Sequence, residues 1–454
     1  MNRTIDFTKG NPMSLIVRFS IPILIGYLFQ QVYFLVDRII VGQLVGADAF
    51  AAVGSTTAIT SMFMSMCMGT SSGVGIVVSQ YYGARDEENT ARAISNGAYV
   101  NIAVALIMTV VALATIHPIL GLLETPAELM GDAASYMTIY MAGLIAVAAY
   151  YVPFSIMQAL GDSRTPLLFL IFCSVLNVIL DLIFVGSLQM GVNGAAAATV
   201  LAQCIAAICC IFYAFRKMPI MRAAVKYAAP DKTIIVQTIR IGLPTGFQFS
   251  LIYISSVVLQ RIVNGFGTFV IGAFAATTQV EILVQQIYAT LGTTMATYTA
   301  QNIGAKKYER IRQGLSSALA ICGGVSVIWL AIAGLGGTRI MSIFVENRQM
   351  TAIAAAGIRI TAVFFMAFGV TRVFRLILSG AGDSIFTLMS GIVEIVVRIL
   401  LGFVLTAIPA LGMWGIWLTT GCTWVATAIF AVWRYKGNKW KEKAVAAENG
   451  AGEF

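Results

Sequence analysis

Twelve apolar runs, each long enough to cross a bilayer, constrain this chain more than any other feature. A helix needs about 20 residues to span the hydrocarbon, and the runs fall at roughly 14–45, 49–80, 92–116, 133–157, 166–186, 191–215, 235–264, 268–300, 313–335, 351–378, 387–409 and 411–434. Backbone groups in lipid must be satisfied internally, so runs of this length are helices. Only 11% of the residues are charged and 59% are hydrophobic, against about 25% charged in a soluble domain. The expected fold is an all-α polytopic membrane protein. Pro22, Gly26, Pro244 and Gly246 are expected to bend the first and seventh spans. The polar start, Met1 to Asn11, leads straight into a long span, so a cleavable signal peptide is not expected.

The net charge of +9 is explained by topology. With the N-terminus inside, the inner loops collect Arg85, Arg92, Arg164, the group from Arg216 to Arg240, Lys306, Lys307, Arg310 and Arg312. The outer side holds only Arg38, Arg261, Arg339 and Arg348. The positive-inside bias therefore predicts a multi-pass cell-membrane protein with both termini cytoplasmic. Nucleic acid is not needed to explain the basic balance. The tail from Lys436 to Lys443 reads as a flank contacting anionic lipid. All seven cysteines lie in apolar runs without metal-ligand spacing and read as small buried hydrophobes.

The chain repeats itself at an offset of about 221 to 223 residues. Arg18-Phe-Ser-Ile-Pro22 answers Arg240-Ile-Gly-Leu-Pro244, Asp37-Arg38-Ile39 answers Gln260-Arg261-Ile262, and Gln80-Tyr-Tyr-Gly83-Ala84 answers Gln301-Asn-Ile-Gly304-Ala305. Gly161-Asp162-Ser163 answers Gly382-Asp383-Ser384, and Gly191-Val-Asn-Gly194 answers Gly412-Met-Trp-Gly415. Six helices per repeat bring both halves in from the same side, so the two six-helix lobes are parallel and related by a pseudo-two-fold along the membrane normal. The expected division is an N-lobe over 1–215, a basic linker over 216–240, a C-lobe over 241–435 and a tail over 436–454. Two lobes facing a central cavity is the plan of an alternating-access carrier, with a monomer as the default.

The halves differ where chemistry is expected. Asn177 and Asp181 share one helix face in the fifth span, while their counterparts are Arg398 and Gly402. A carboxylate at that depth costs roughly 3 kcal/mol or more and marks function. At ~1.5 Å per residue, Asp181 lies ~22 Å up its helix from Pro166, and Thr199 ~12 Å down the next from Gly191. Asp37 falls in the outer half of the first span, so two carboxylates, an amide and a hydroxyl can converge. Oxygen ligands suit a hard cation such as sodium, and a close carboxylate pair suits a shared proton.

Glu281, with Gln285 one turn on, reads as a midplane substrate or proton site that would attract a cation, with a structural pair to an arginine of another helix as the rival. Glu394 and Arg398 read as a structural i, i+4 pair. Arg372 and Arg375 read as caps at the inner end of the tenth span, leaving Arg359 and Arg398 as the deep basic residues. His117 before Pro118 reads as interfacial.

With these residues in view, the chain resembles the multidrug and toxic compound extrusion (MATE) transporters, a family within the superfamily that includes polysaccharide and lipid flippases. The resemblance covers about 12 to 435. It rests on Ser20-Ile-Pro22, Asp37 followed by Arg38-Ile-Ile-Val-Gly42, Gly83-Ala84-Arg85, Gly161-Asp-Ser-Arg-Thr-Pro166 and Gln301-Asn-Ile-Gly-Ala305. Asn177, Asp181 and Thr199 match the N-lobe site of its DinF-like branch, where the resemblance implies that Asp37 joins them in binding the coupling cation. The glutamate that the NorM-like branch carries after the seventh-span Gly-x-Pro is missing near Ile252. The expected function is cation-coupled efflux, by sodium or proton antiport, of amphipathic, cationic organic compounds, with no cofactor beyond the coupling ion. The alternatives are a flippase for a lipid-linked precursor, which would favour arginine and lysine in the cavity, and, further off, an intramembrane enzyme or a channel.

Overall fold

The computed structural model describes residues 4–444, and the tail expected over 436–454 lies outside the described residues beyond that point. Among the described residues the secondary structure is helical throughout. The N-terminal half contains α1 (Pro12–Leu44), α2 (Ala47–Gly83), α3 (Glu87–Leu122), α4 (Ala127–Ala142), α5 (Leu144–Ala159), α6 (Arg164–Asp181) and α7 (Gly191–Lys217). A short helix, α8 (Pro219–Lys226), leads to α9 (Lys232–Asn264), α10 (Thr268–Gly304), α11 (Tyr308–Phe344), α12 (Arg348–Gly380), α13 (Ser384–Ala407) and α14 (Gly415–Lys436). Eleven helical segments are long and apolar enough to cross a membrane, and α4 with α5 forms a twelfth span bent by 44°.

The helix termini follow the local sequence. Asn11 caps α1 by accepting from Ser14 N, with Pro12 at the first helical position. Asp86 caps α3 through Asn89 N, and Asp231 caps α9 through Thr233 N and Ile234 N. Pro22 and Pro244 lie inside α1 and α9, which continue through them. The break that does occur, in the expected fourth span, falls at Gly143. A Cβ there would stand 2.3 Å from Val200 on α7, so glycine permits this close approach. The connector between lobes is shorter than the expected 216–240. Residues 232–240 already belong to α9, and α8 docks on α3, where Ser95 donates to Ala224 O at 2.5 Å.

The two lobes meet along one half of their length, at the end that carries Arg85, Lys307, Arg310 and Arg434. Glycines set this seam. A Cβ on Gly69 would stand 2.2 Å from Gly246 Cα, and one on Gly73 2.4 Å from Gly242 Cα. Further toward the basic end, a Gly83 Cβ would lie 2.1 Å from Gln301 O and a Gly304 Cβ 1.8 Å from Gln80 O. Backbone therefore packs on backbone, as small residues allow between membrane helices. Side chains stitch the same seam. Ser65 and Ser250 share a hydrogen bond at 2.7 Å, Ser20 and Thr294 one at 2.8 Å, and Tyr81 donates to Gln237 at 3.0 Å.

Away from the basic end the lobes part. Nothing stands within 4 Å of a Cβ built on Gly54 of α2. Val32, Phe34 and Leu35 of α1 are exposed, as are Tyr253, Ile254 and Val257 of α9. The α2–α9 contacts just described end near Ser250, and the molecule opens from there.

A strap ahead of α1 crosses the closed end. Phe7 is fully buried, edge-on to Phe19 at 5.0 Å and to Tyr298 at 5.5 Å. Ile5 N donates to Gly161 O of the first half at 2.9 Å, while Phe7 N donates to Gln301 Oε1 of the second at 3.1 Å. Arg310 donates to Phe7 O and Gly10 O, each at 3.0 Å, and Asp6 pairs with Arg85 at 2.5 Å.

Candidate functional site

Asp181 is the last residue of α6 proper. A wider π-helical turn, Leu182–Ser187, follows it, and such turns recur at functional sites. The one-turn spacing anticipated from sequence puts Asn177 and Asp181 on the buried face of α6, at 1% and 0% exposure. With its amide oriented to satisfy both neighbours, Asn177 donates to Asp181 Oδ2 at 2.8 Å. Its oxygen accepts from Thr199 N at 3.1 Å. The Thr199 hydroxyl donates to its own helix at Ala195 O, 3.1 Å away.

Asp37 comes from α1 and is half-buried. Its carboxyl faces that of Asp181 closely enough to share a hydrogen bond once a proton is present. Arg38, the neighbour in sequence, is exposed. Asp37 Oδ1 and Asp181 Oδ1 are both buried without a hydrogen-bond donor. Unpaired carboxylate oxygens away from water are costly, so this arrangement calls for a cation or a proton between them. The structure thus brings all four N-lobe residues, Asp37, Asn177, Asp181 and Thr199, to one point.

Three tyrosines that sequence reasoning passed over complete the surroundings. Tyr33 of α1 approaches Thr199 and Asp37, and Tyr136 of α4 lies near both carboxyls. Tyr136 stacks on Tyr140 with ring centroids 5.9 Å apart, and Tyr140 reaches Met64 Sδ at 3.4 Å. Tyr33 stands four residues before Asp37, the same one-turn spacing that flagged Asn177.

In the second half the charged groups are arranged differently from the expectation. Glu281 is 7% exposed and accepts from Thr361 Oγ1 of α12 at 2.5 Å. A carboxylate held this way is enclosed between α10 and α12. Gln285 is half-buried one turn along. The expected Glu394–Arg398 pair forms at 3.1 Å, but it has a third member.

Arg375, expected as a helix cap, is 1% exposed and binds Glu394 Oε2 at 2.9 Å and Ser390 Oγ at 3.2 Å. Arginine in a helix is a cap only if its side chain reaches solvent, and here α13 covers it. Arg359, expected to be deep, is exposed beside α11, where it donates to Ala333 O and Thr338 Oγ1. Its long stem lets it follow the α11 surface outward.

Among the described residues, no group of three or more His, Cys, Asp or Glu side chains converges to hold a metal ion. The donor set is oxygen-only: Asp37 and Asp181 leave carboxylate oxygens unpartnered, and Asn177 and Thr199 add an amide and a hydroxyl oxygen beside them, a set that suits a hard cation. A proton needs only the two unpartnered carboxylate oxygens.

The MatE family model matches residues 22–183 and 244–404, one copy in each half. The probable multidrug resistance protein YpnP of Bacillus subtilis (strain 168) is 25% identical over 98% of this chain and 99% of its own length. The multidrug export protein MepA of Staphylococcus saprophyticus is 22% identical over 86% of this chain and 87% of its own. Among solved structures, an outward-facing conformation of a multidrug resistance MATE family transporter of the MOP superfamily superposes with a TM-score of 0.88. It is 21% identical and covers 97% of this chain and 98% of its own.

Proposed function

The chain belongs to the MatE family, and from that premise we propose that it is a proton-coupled exporter of amphipathic organic compounds that works by alternating access. Members of this family are secondary transporters, and the chain is a carrier rather than an enzyme. Multidrug efflux is the function that its relatives support. The basic end is cytoplasmic by the positive-inside rule, so the seam closes the cytoplasmic half and the cleft faces outward. The observation that carries the coupling reading is the Asp37–Asp181 pair with its two donor-less buried oxygens. A proton arriving from outside bridges them and removes the repulsion between α1 and α6. Deprotonation restores it and favours another packing of α1. The ion drives transport only through this difference between states.

The expectation of a cationic cargo rested on acidic groups in an apolar cavity, Glu281 among them. With that carboxylate enclosed against Thr361, cargo charge has to be judged from other residues. A flippase for a lipid-linked precursor is not favoured by the relatives.

The test is efflux of a fluorescent amphipathic substrate from inverted vesicles, with sodium and pH gradients imposed separately, for the wild type and Asp181→Asn. Efflux driven by the pH gradient and lost in Asp181→Asn is the expected result. Efflux driven by sodium alone would replace the proton with a metal cation at the same residues. No efflux under either gradient would overturn the transporter reading.

A further inference from the structure

The seam between the lobes ends at two rungs. On one side, Tyr27 of α1 shares a 3.3 Å hydrogen bond with Thr293 of α10. On the other, Tyr253 of α9 lies beside Ser61 of α2. Beyond these rungs the cleft opens. Arg372 of α12 lies at this height: its backbone carbonyl stands 3.2 Å from a Cβ built on Gly292, the neighbour of Thr293, and its half-buried side chain lies near both tyrosines. It is therefore at the vertex of the cleft, where its floor lies.

Arg372 differs from the other arginines around it. Among the described residues its guanidinium makes no ion pair and no hydrogen bond. It lies over the Phe368 ring, 4.9 Å from the centroid. Glu394, the nearest carboxylate in this layer, is already shared between Arg375 at 2.9 Å and Arg398 at 3.1 Å. Glu281 is enclosed with Thr361. Glu394 attracts Arg372 but, among the described residues, forms its ion pairs with Arg375 and Arg398 instead, and the N-lobe acids are neutralised in part by the coupling proton. A guanidinium over an aromatic ring keeps N–H groups for a further partner, and its fork matches a planar carboxylate.

We propose that Arg372 is the specificity-determining residue of the transport cleft and that it selects cargo bearing a carboxylate, an amphipathic organic anion or zwitterion whose apolar part lies between Tyr27 and Tyr253. The proposal rests on the exporter reading and adds the charge of the cargo to it.

A matched pair of probes tests it in proteoliposomes under an imposed pH gradient. The pair is a zwitterionic fluoroquinolone and its methyl ester, with the same rings but no carboxylate, and ethidium serves as a cationic control. The wild type is expected to carry the acid with a kcat/KM about ten-fold or more above that of the ester. Arg372→Gln is expected to lower kcat/KM for the acid about ten-fold, to a value no higher than that for the ester, with a smaller change for the ester, and Arg372→Lys to keep part of the preference. Equal loss of both probes in Arg372→Gln would assign the residue a structural role and overturn the proposal. A wild type that carries the ester or ethidium but not the acid overturns this inference alone. A wild type that carries none of the three overturns the exporter reading with it.

Discussion

Two residues show how partners decide what a charge in the membrane does. Glu394 is held by two guanidinium groups, and Glu281 by one hydroxyl. Removing the charge of Glu394 leaves Arg375 and Arg398 buried against each other without a counter-ion. Breaking a buried pair from one side costs about 3–5 kcal/mol. Glu394→Gln is therefore expected to lower the thermal midpoint in detergent strongly. Glu281→Gln keeps an acceptor for Thr361 and is expected to shift that midpoint by far less. Thermal unfolding of the two variants side by side checks the ranking. Asn177→Ala removes the donor to Asp181 Oδ2 and leaves the carboxylate one hydrogen bond poorer. Gradient-driven efflux in that variant is expected to be slower than in the wild type at the same imposed pH gradient, because the carboxylate is no longer held in place by its neighbour.

Among the elements, the strap over residues 4–11 ties the two halves together with very few residues. Phe7 supplies its apolar anchor, and Phe7→Ala is expected to cost about 3–5 kcal/mol, the usual loss for a buried phenylalanine. Protease access to the segment before Pro12 would report the loosened strap. Its ionic anchor has a pH signature. Partial burial works against ionisation of Asp6, but bonds from the Thr8 hydroxyl and amide and the charge of Arg85 outweigh it. They hold the carboxyl below its ordinary value. A depressed carboxylate contributes stability that is fully present above its unfolded pKa, about 3.9. That contribution is lost as pH falls through the lower folded value. Hydrogen exchange at Ile5 to Thr8 is therefore expected to stay slow from neutral pH down to about 4 and to quicken below it. Exchange that quickens already near pH 6 would contradict this account.

For the whole molecule, the seam and the cleft imply that transport needs the α2–α9 contact to part. Ser65 and Ser250 have their hydroxyl oxygens 2.7 Å apart across it. Replacing both with cysteine, in a background lacking the native cysteines, is expected to give a disulfide under oxidation that abolishes efflux. Reduction is expected to restore it. Continued efflux with the crosslink formed would mean that the lobes do not separate here. Gly69→Leu works in the opposite sense. A side chain where Cβ already meets Gly246 at 2.2 Å holds the seam open and is expected to increase labelling of a cysteine at Thr70 from the cytoplasmic side.

The spans, the two-fold repeat and the N-lobe quartet were legible in the chain because each rests on a periodicity that survives folding. A bilayer demands about 20 apolar residues per crossing, and helical spacing places Asn177 beside Asp181 whatever the neighbours do. The bend at Gly143, the burial of Arg375, the enclosure of Glu281 and the free guanidinium of Arg372 depended on tertiary structure. Each is set by what an adjacent helix presents at that height: Val200 on α7, Glu394 on α13, Thr361 on α12, and the paired tyrosines where α1 and α9 part. Contacts between helices far apart in sequence are not encoded by spacing along either one. The sequence by itself therefore determined the number of crossings and where a carboxylate cluster sits. Only the packing of helix against helix decided which charges are neutralised and which is left without an ion pair.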